Sequence, residues 1–344
     1  MDCYVKIESP NTAKRHVDML MEHMGARDLS VDIRGGRSKT SKHVATFMRK
    51  LMSMANLMLR LKRGDTLLIQ YPFKKFYVTQ CRIAHWRGAK TVTLIHDLGT
   101  FRRGKLTAEK EIRRLSHTDV IIAHNPSMRA WLERHGCKVP IVDLDIFDYL
   151  APTRPGDKAQ NYSQHHIPTV VFAGGISRRK TNFIYDVDEK IDGIHLDIYG
   201  SGLEPDADKH WRNTTFHGSI DSDEFIATID ADWGLVWDGD TVDGCQGTWG
   251  SYLRVNNPHK ASFYLRASLP VIVWKESAMA PFIINQGVGI AVDSLSQLPQ
   301  VLTQITPQQY AAYRQAAEEM AGRLGSGHYF YKAYRKALGM IGRE

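Results

Sequence analysis

Cysteine is scarce and scattered. The four in 344 residues, Cys3, Cys81, Cys137 and Cys245, show no CxxC or other paired spacing, which argues against a disulfide framework and against a zinc site and leaves them as free thiols. Long apolar runs are missing too. No segment approaches the roughly 18 uninterrupted apolar residues of a membrane span, and the opening Met1-Asp2-Cys3-Tyr4-Val5-Lys6 lacks a signal-peptide hydrophobic region. A cytoplasmic protein is expected. No GxxxxGK with a following Ser or Thr, no GxSxG and no HExxH occurs, so kinase, serine hydrolase and zinc protease readings lose their main support. Helix-turn-helix spacing, zinc-finger ligands and an RNA-binding aromatic signature are likewise absent, and nucleic acid is not an expected partner. Gly200-Ser201-Gly202 lacks the third glycine of a dinucleotide fingerprint, which leaves a dehydrogenase as a weak alternative.

What is present is the balance of a soluble globular protein, with 43% apolar and 24% charged residues. The length suffices for two cores of roughly 150 residues each. Lysine and arginine exceed aspartate and glutamate to give a formal charge of +8. An anionic partner is implied, and a nucleotide diphosphate or an anionic lipid headgroup would each satisfy it.

Two series of alternating strand and helix patterns follow one another. Residues 66–71, 91–95 and 119–123 are short β-branched runs about one helix apart, as a parallel sheet requires. They end in Tyr71-Pro72, His96-Asp97 and His124-Asn125-Pro126, and carboxyl ends of parallel strands line the ligand crevice of such sheets. The Asn125-Pro126 step opens a helix that stops at Gly136. Residues 151–168, APTRPGDKAQNYSQHHIP, are polar and aperiodic and are read as a linker. The second series has strands at 169–175, 195–202, 215–218, 233–237 and 271–274. A first Rossmann-like domain is therefore expected over 1–150 and a second over 168–325. Tyr331, Tyr334, Ala337, Leu338 and Ile341 fall near helical spacing, so residues 328–344 are expected to pack back across the first domain.

Residues 42–63 stand apart, with Val44, Phe47, Leu51, Met54 and Met58 on one helical stripe among Lys42, Lys50, Arg60, Lys62 and Arg63. A core helix of the first domain is the simpler reading, since Met and Leu stripes are what cores contain. A helix lying on an anionic membrane surface is the other, reinforced by Lys74-Lys75-Phe76-Tyr77 and Arg102-Arg103-Gly104-Lys105 if these share its face.

The chemistry concentrates in residues 232–274. A strand, Trp233-Gly234-Leu235-Val236-Trp237, breaks into Asp238-Gly239-Asp240; a polar loop leads to Asn256-Asn257-Pro258-His259-Lys260 opening a helix; a second strand follows. A helix start offers unpaired N–H groups to a diphosphate, and Lys260 adds a full charge there, an arrangement suited to a sugar nucleotide. Gly174 and Gly175 join a strand to Arg178-Arg179-Lys180; glycine lets backbone approach a phosphate, and arginine can grip two of its oxygens. The helix start at Ser277-Ala278-Met279-Ala280-Pro281 offers a third phosphate contact through the backbone amides of Ala278 and Met279. Asp238 and Asp240 could hold a metal, but Asp-Gly-Asp more often makes a turn, so metal independence and no cofactor are expected. In the first domain, Asp97 or His96 could take the proton from an acceptor hydroxyl; Asp97 is favoured as the base, with His96 contacting donor sugar or phosphate. A structural pair capping the turn is the alternative, and His124 and Glu8 are the reserves.

The strings Leu-Ile-His-Asp at 94–97, Ala-His-Asn-Pro at 123–126, Asp-Ile-Phe-Asp-Tyr-Leu at 145–150, Ala-Gly-Gly-Ile-Ser-Arg at 173–178, Val-Trp-Asp-Gly-Asp at 236–240 and Asn-Asn-Pro-His-Lys at 256–260 carry a family likeness. From about residue 66 to 291 the chain resembles the bacterial β-1,6-galactofuranosyltransferases of O-antigen assembly and, more distantly, the adhesin-modifying glucosyltransferases. The resemblance implies an α/β GT-B fold, two Rossmann-like doubly wound domains facing across a cleft, with the nucleotide held by the second. It implies UDP-galactofuranose as donor and a glycan acceptor on an undecaprenyl diphosphate carrier, in lipopolysaccharide synthesis. It places Arg178 or Arg179 and Lys260 on the diphosphate and Asp238, Tyr252 and Asn257 near the ribose or donor sugar. Transfer from an α-linked donor to a β product inverts the anomeric carbon, and the paired-glutamate pattern of many retaining relatives is missing around Glu276. A UDP-glucose or other UDP-hexose transferase of the same fold, and a non-catalytic partner of another glycosyltransferase, stay open beside this reading. So do peripheral membrane attachment and a homo-oligomer.

Overall fold

The computed structural model describes residues 1–6, 12–32, 39–73, 76–103, 106–152, 162 and 167–343. The chain divides into two compact units, Met1–Leu144 with Phe330–Glu344, and Asp145–Tyr329. Each is built on one six-stranded parallel sheet.

The first sheet contains β1 (Asp2–Tyr4), β2 (Arg27–Asp28), β3 (Thr66–Tyr71), β4 (Lys90–Ile95), β5 (Val120–Ala123) and β6 (Ile141–Asp143), in the order β2-β1-β3-β4-β5-β6. All six residues of β3 and all four of β5 are buried, as strands covered by helices on both faces must be. Asn125 caps the helix Pro126–Arg134 by accepting the Met128 amide at 2.8 Å, the expected use of an Asn-Pro step. The last helix, His328–Met340, completes this unit from the far end of the chain: the Tyr331 hydroxyl donates to the Leu20 carbonyl, and Arg343 pairs with Asp2 at 3.1 Å.

The second sheet contains β7 (Thr169–Gly175), β8 (His195–Ser201), β9 (Thr214–Gly218), β10 (Trp233–Val236), β11 (Val271–Trp274) and β12 (Gly289–Val292), in the order β12-β11-β10-β7-β8-β9. Alternate residues feed opposite cores. Val170 and Phe172 pack with Leu196, Trp233 and Ile272, while Val171 packs with Val236, Val273 and Tyr264, the period-two signature of a sheet buried on both faces. The connections reverse direction between β7 and β10, the topological switch point at which open α/β sheets bind ligands.

Two expectations need correction. Most of the expected linker lies outside the described residues, but Tyr162 within it is buried, stacked on Tyr310 at 4.1 Å and donating to the Leu302 carbonyl at 2.9 Å. That residue belongs to the second core. The stripe in residues 42–63 is not a core stripe: the helix Lys39–Arg60 buries Met54 and Leu57, whereas Val44, Phe47, Leu51 and Met58 are exposed. Lys74, Lys75 and Lys105, and the side chains of Lys42, Arg102 and Arg103, lie outside the described residues.

Candidate functional site

At the switch point of the second unit, the carboxyl ends of β7 and β10 meet the helix His259–Arg266. Lys260, in that helix's first turn, reaches back so that its Nζ lies 2.8 Å from Asp238 Oδ1 and 4.0 Å from the Phe172 ring centre. Lys180 Nζ stands 3.5 Å from the other Asp238 oxygen. Burial and the Lys180 charge work against the ammonium while Asp238 supports it, and burial dominates, bringing Lys260 down to about 8. A buried charge held at that cost favours arrival of an anion, because an anion recovers part of the lost hydration.

The strand end is shaped to leave room for it. Gly174 has φ +152°, and a Cβ there would sit 3.1 Å from Lys260 Cε, whereas a Cβ on Gly175 would meet nothing within 4 Å. Gly200 on the neighbouring strand approaches so closely that its Cβ would fall 1.9 Å from the Gly174 oxygen. Tyr264 fixes the rim, its hydroxyl accepting the Ala173 amide at 2.6 Å. The loop after β10 is tied to the basic turn by Gly239 N donating to the Lys180 carbonyl at 2.7 Å and by Asn182 donating to the Asp240 carbonyl at 3.1 Å. Two glycines, two lysines and a carboxylate therefore form one rigid cradle.

Other expected donor contacts have different surroundings. The Arg178 guanidinium makes two bonds to Glu204, at 2.9 and 2.8 Å, and lies over the Tyr185 ring. Its fork is occupied, and Lys180, quoted in the sequence only as a member of the basic run, takes the place beside Asp238. Arg179 lies over the Trp249 ring at 5.6 Å, with Lys180 beside the same ring at 5.5 Å. Asn257 is buried and donates to the Asp145 carbonyl at 2.8 Å, so it secures the chain where Asp145 adopts φ +74°. Tyr252 is buried. The phosphate contact expected of Ala278 is corrected: its amide donates to the Leu253 carbonyl at 2.8 Å, and the helix there, Ala280–Asn285, begins later than expected, after a fully buried Met279. Among the described residues, no three or more His, Cys, Asp or Glu side chains come together in metal-binding geometry.

In the first unit, His96 and Asp97 follow β4. His96 is buried, and Gln70 links it to Asp18: Gln70 Nε2 donates to Asp18 at 2.7 Å, leaving its oxygen to accept from His96 Nε2 at 2.7 Å. Asp97 is the more open of the pair, which suits a base that must meet an outside hydroxyl. The next residues are held by Glu111, fully buried, which accepts from the Gly99 amide, the Thr100 amide and hydroxyl, and the Tyr71 hydroxyl, all within 2.8 Å. His124 is buried, with its Nε2 donating to the Ile95 carbonyl at 3.0 Å; burial lowers it to about 4, so it is neutral at pH 7. Glu8 lies outside the described residues.

The role of Glu111 was not legible in the sequence and can be tested by stability. Glu111→Gln should cost about 1.5–3 kcal/mol, because an amide cannot accept from all four donors at once and at least one charged hydrogen bond is lost. Urea unfolding should show a lower midpoint at an unchanged slope.

Comparison with known proteins covers nearly the whole chain. The glucosyltransferase 3-like N-terminal domain matches residues 7–146, and the glucosyltransferase 3-like C-terminal domain matches residues 170–337. The likeness thus extends well before residue 66, where the sequence motifs began. The β-1,6-galactofuranosyltransferase WbbI of Escherichia coli (strain K12) is 30% identical over 282 residues, 81% of each chain. Glucosyltransferase 3 of Streptococcus gordonii is 23% identical over 338 residues, 95% of this chain and 93% of its own. Among solved structures, the N-terminal domain of Candida albicans trehalose-6-phosphate phosphatase superposes with a TM-score of 0.54 at 10% identity, covering 90% of this chain and 77% of that one, a likeness of fold.

Proposed function

The chain belongs to the glucosyltransferase 3-like family and is a glycosyltransferase with the two Rossmann-like domains of the GT-B fold, and we propose that it moves galactofuranose from UDP-galactofuranose to a sugar acceptor with inversion, forming a β-1,6 linkage in a cell-surface polysaccharide. The observation that carries the nucleotide-sugar part is the Lys260–Asp238–Lys180 cluster against Gly174 at the switch point of the second sheet. Two cations beside a glycine strand end suit a diphosphate, whose charge they offset. The sugar is argued from the 30% identity with a β-1,6-galactofuranosyltransferase. A glycan on undecaprenyl diphosphate, presented at the inner face of the cell membrane, is the acceptor this reading calls for.

Inversion requires a base that takes the proton of the acceptor hydroxyl, and this reading assigns that part to Asp97. Lys260 and Arg179 would steady the departing UDP, with Asp238 fixing Lys260. The test is the anomeric configuration of the product formed with a GlcNAc- or Glc-terminated acceptor. NMR should show a β-linked furanose; an α-linked product would reject the inverting mechanism. UDP-glucose is a second donor reading, favoured by the similarity to a glucosyltransferase over nearly the full length of both chains.

Metal independence is the expectation that goes with this reading. Both oxygens of Asp238 already face ammonium groups, which supply the positive charge that a divalent ion otherwise brings to a diphosphate. Turnover should therefore persist in EDTA. Loss of activity in chelator, restored by Mn²⁺, would reassign Asp238 and Asp240 as metal ligands.

A further inference from the structure

We propose that Trp249 is a positioning residue of the donor site: its ring gathers the Arg179 guanidinium and the Lys180 ammonium beside the Lys260–Asp238 pair, so that the cations a diphosphate needs stand together before it arrives. The inference rests on the nucleotide-sugar reading of that cluster. Trp249 does not pack a core. Trp233, Trp237 and Trp274 of the same unit belong to its hydrophobic core, whereas Trp249 belongs to neither core cluster and is only half-buried. The loop that carries it is nevertheless braced. Val242 and Cys245 are buried, Trp237 Nε1 donates to the Thr241 carbonyl at 3.1 Å, and Ser294 Oγ donates to the Val242 carbonyl at 3.1 Å. On one side of Trp249, a Cβ at Gly250 would lie 2.6 Å from the Cys245 oxygen; on the other, a Cβ at Gly247, φ +74°, would lie 2.6 Å from Asp240 Oδ2. Glycine at both places lets the loop close on itself and fixes where the indole stands.

Two cations stand over that ring, Arg179 at 5.6 Å and Lys180 at 5.5 Å from its centre. Their other partners differ. Lys180 shares Asp238 with Lys260, while the exposed Arg179 has no carboxylate at ion-pair distance among the described residues, unlike Arg178, which is closed on Glu204. Arg179, Lys180 and Lys260 thus crowd one carboxylate, and like charges so placed repel one another. The negative face of an indole offsets part of that repulsion without adding a charge that an arriving diphosphate would have to displace. A second carboxylate in the place of the ring would hold the cations more firmly and repel the ligand. The ring therefore keeps the cations gathered and still available.

The test is calorimetry of UDP binding by the full chain. Trp249→Leu should weaken UDP about three- to tenfold, the worth of one or two exposed cation–π contacts, and Trp249→Phe, which keeps an aromatic face, should recover most of that loss. A double-mutant cycle shows what the ring acts through: in an Arg179→Met background, Trp249→Leu should have a clearly smaller effect than in the parent, because the guanidinium it holds is already gone. Saturating UDP should also change the tryptophan fluorescence of the parent as the cations turn from the indole to the diphosphate, and most of that change should be missing in Trp249→Phe. Circular dichroism and the urea midpoint of each variant check the fold. Equal UDP affinity of the parent and Trp249→Leu, or full additivity of the Arg179 and Trp249 substitutions, would overturn the proposal while leaving the donor site in place. Failure of the parent itself to bind UDP would remove the donor site, and the proposal with it.

Discussion

Lys260→Met should weaken UDP binding by about 1.5–3 kcal/mol, roughly tenfold to over a hundredfold, with the fold retained. Methionine keeps the stem that fills the space over Phe172 and beside Gly174 but removes the charge that the proposal assigns to the diphosphate. Lys260→Ala should also lose stability, because it opens a cavity and leaves Asp238 with only the more distant Lys180. Calorimetry on the methionine variant separates the two effects, and an unchanged UDP affinity would remove Lys260 from the donor site. The titration of this lysine adds a signature. Burial lowers it from 10.5 to about 8, so between those values the unfolded chain holds a proton that the folded chain has released. Its contribution to stability therefore rises with pH: the cost of the buried charge is full below about 8 and is relieved toward 10.5. UDP binding runs the opposite way, since the diphosphate favours the charged form. Affinity should fall as pH rises through about 8, with proton uptake on binding detectable by calorimetry in buffers of different ionisation heat. The Lys260→Met variant should show no such uptake.

Asp97→Asn should lower turnover by roughly 10² to 10⁴ while UDP affinity stays near that of the parent, because a general base contributes about that factor and the nucleotide is assigned to the other unit. His96→Ala probes the alternative. His96 is bonded through Gln70 to Asp18 and is buried, so its removal should unsettle the strand end and change KM as well as kcat. A clean loss of kcat in His96→Ala beside a nearly normal Asp97→Asn would exchange the two roles. Near-normal turnover in both would move the base elsewhere in this unit.

Strands of four or more residues buried on both faces were legible because they leave an apolar or β-branched run, as in β3, β5 and β11. Strands β1, β2 and β6 were not, having two or three residues each. Periodicity needs more length than that, and only their register against neighbours defines them. Of the site, Gly174, Asp238 and Lys260 were visible as strand-end and helix-start residues. Their assembly was hidden, since Asp238 and Lys260 are 22 positions apart and meet only through the β10 crossover. The same distance problem concealed Glu204, which occupies Arg178, and promoted Lys180 in its place. The helix Lys39–Arg60 was ambiguous for another reason: it is apolar on two sides, and spacing alone does not tell which side the core covers.

Donor competition tests the central claim most directly. The isolated chain is supplied with UDP-galactofuranose and UDP-glucose in equal amounts, together with a GlcNAc- or Glc-terminated acceptor, and the product is identified by NMR. The account predicts transfer of galactofuranose, with UDP released in step and the rate falling sharply in Asp97→Asn. Transfer of glucose in its place would contradict the donor assignment, and absence of any transfer or UDP release from either donor would contradict the assignment of the chain's own residues to catalysis.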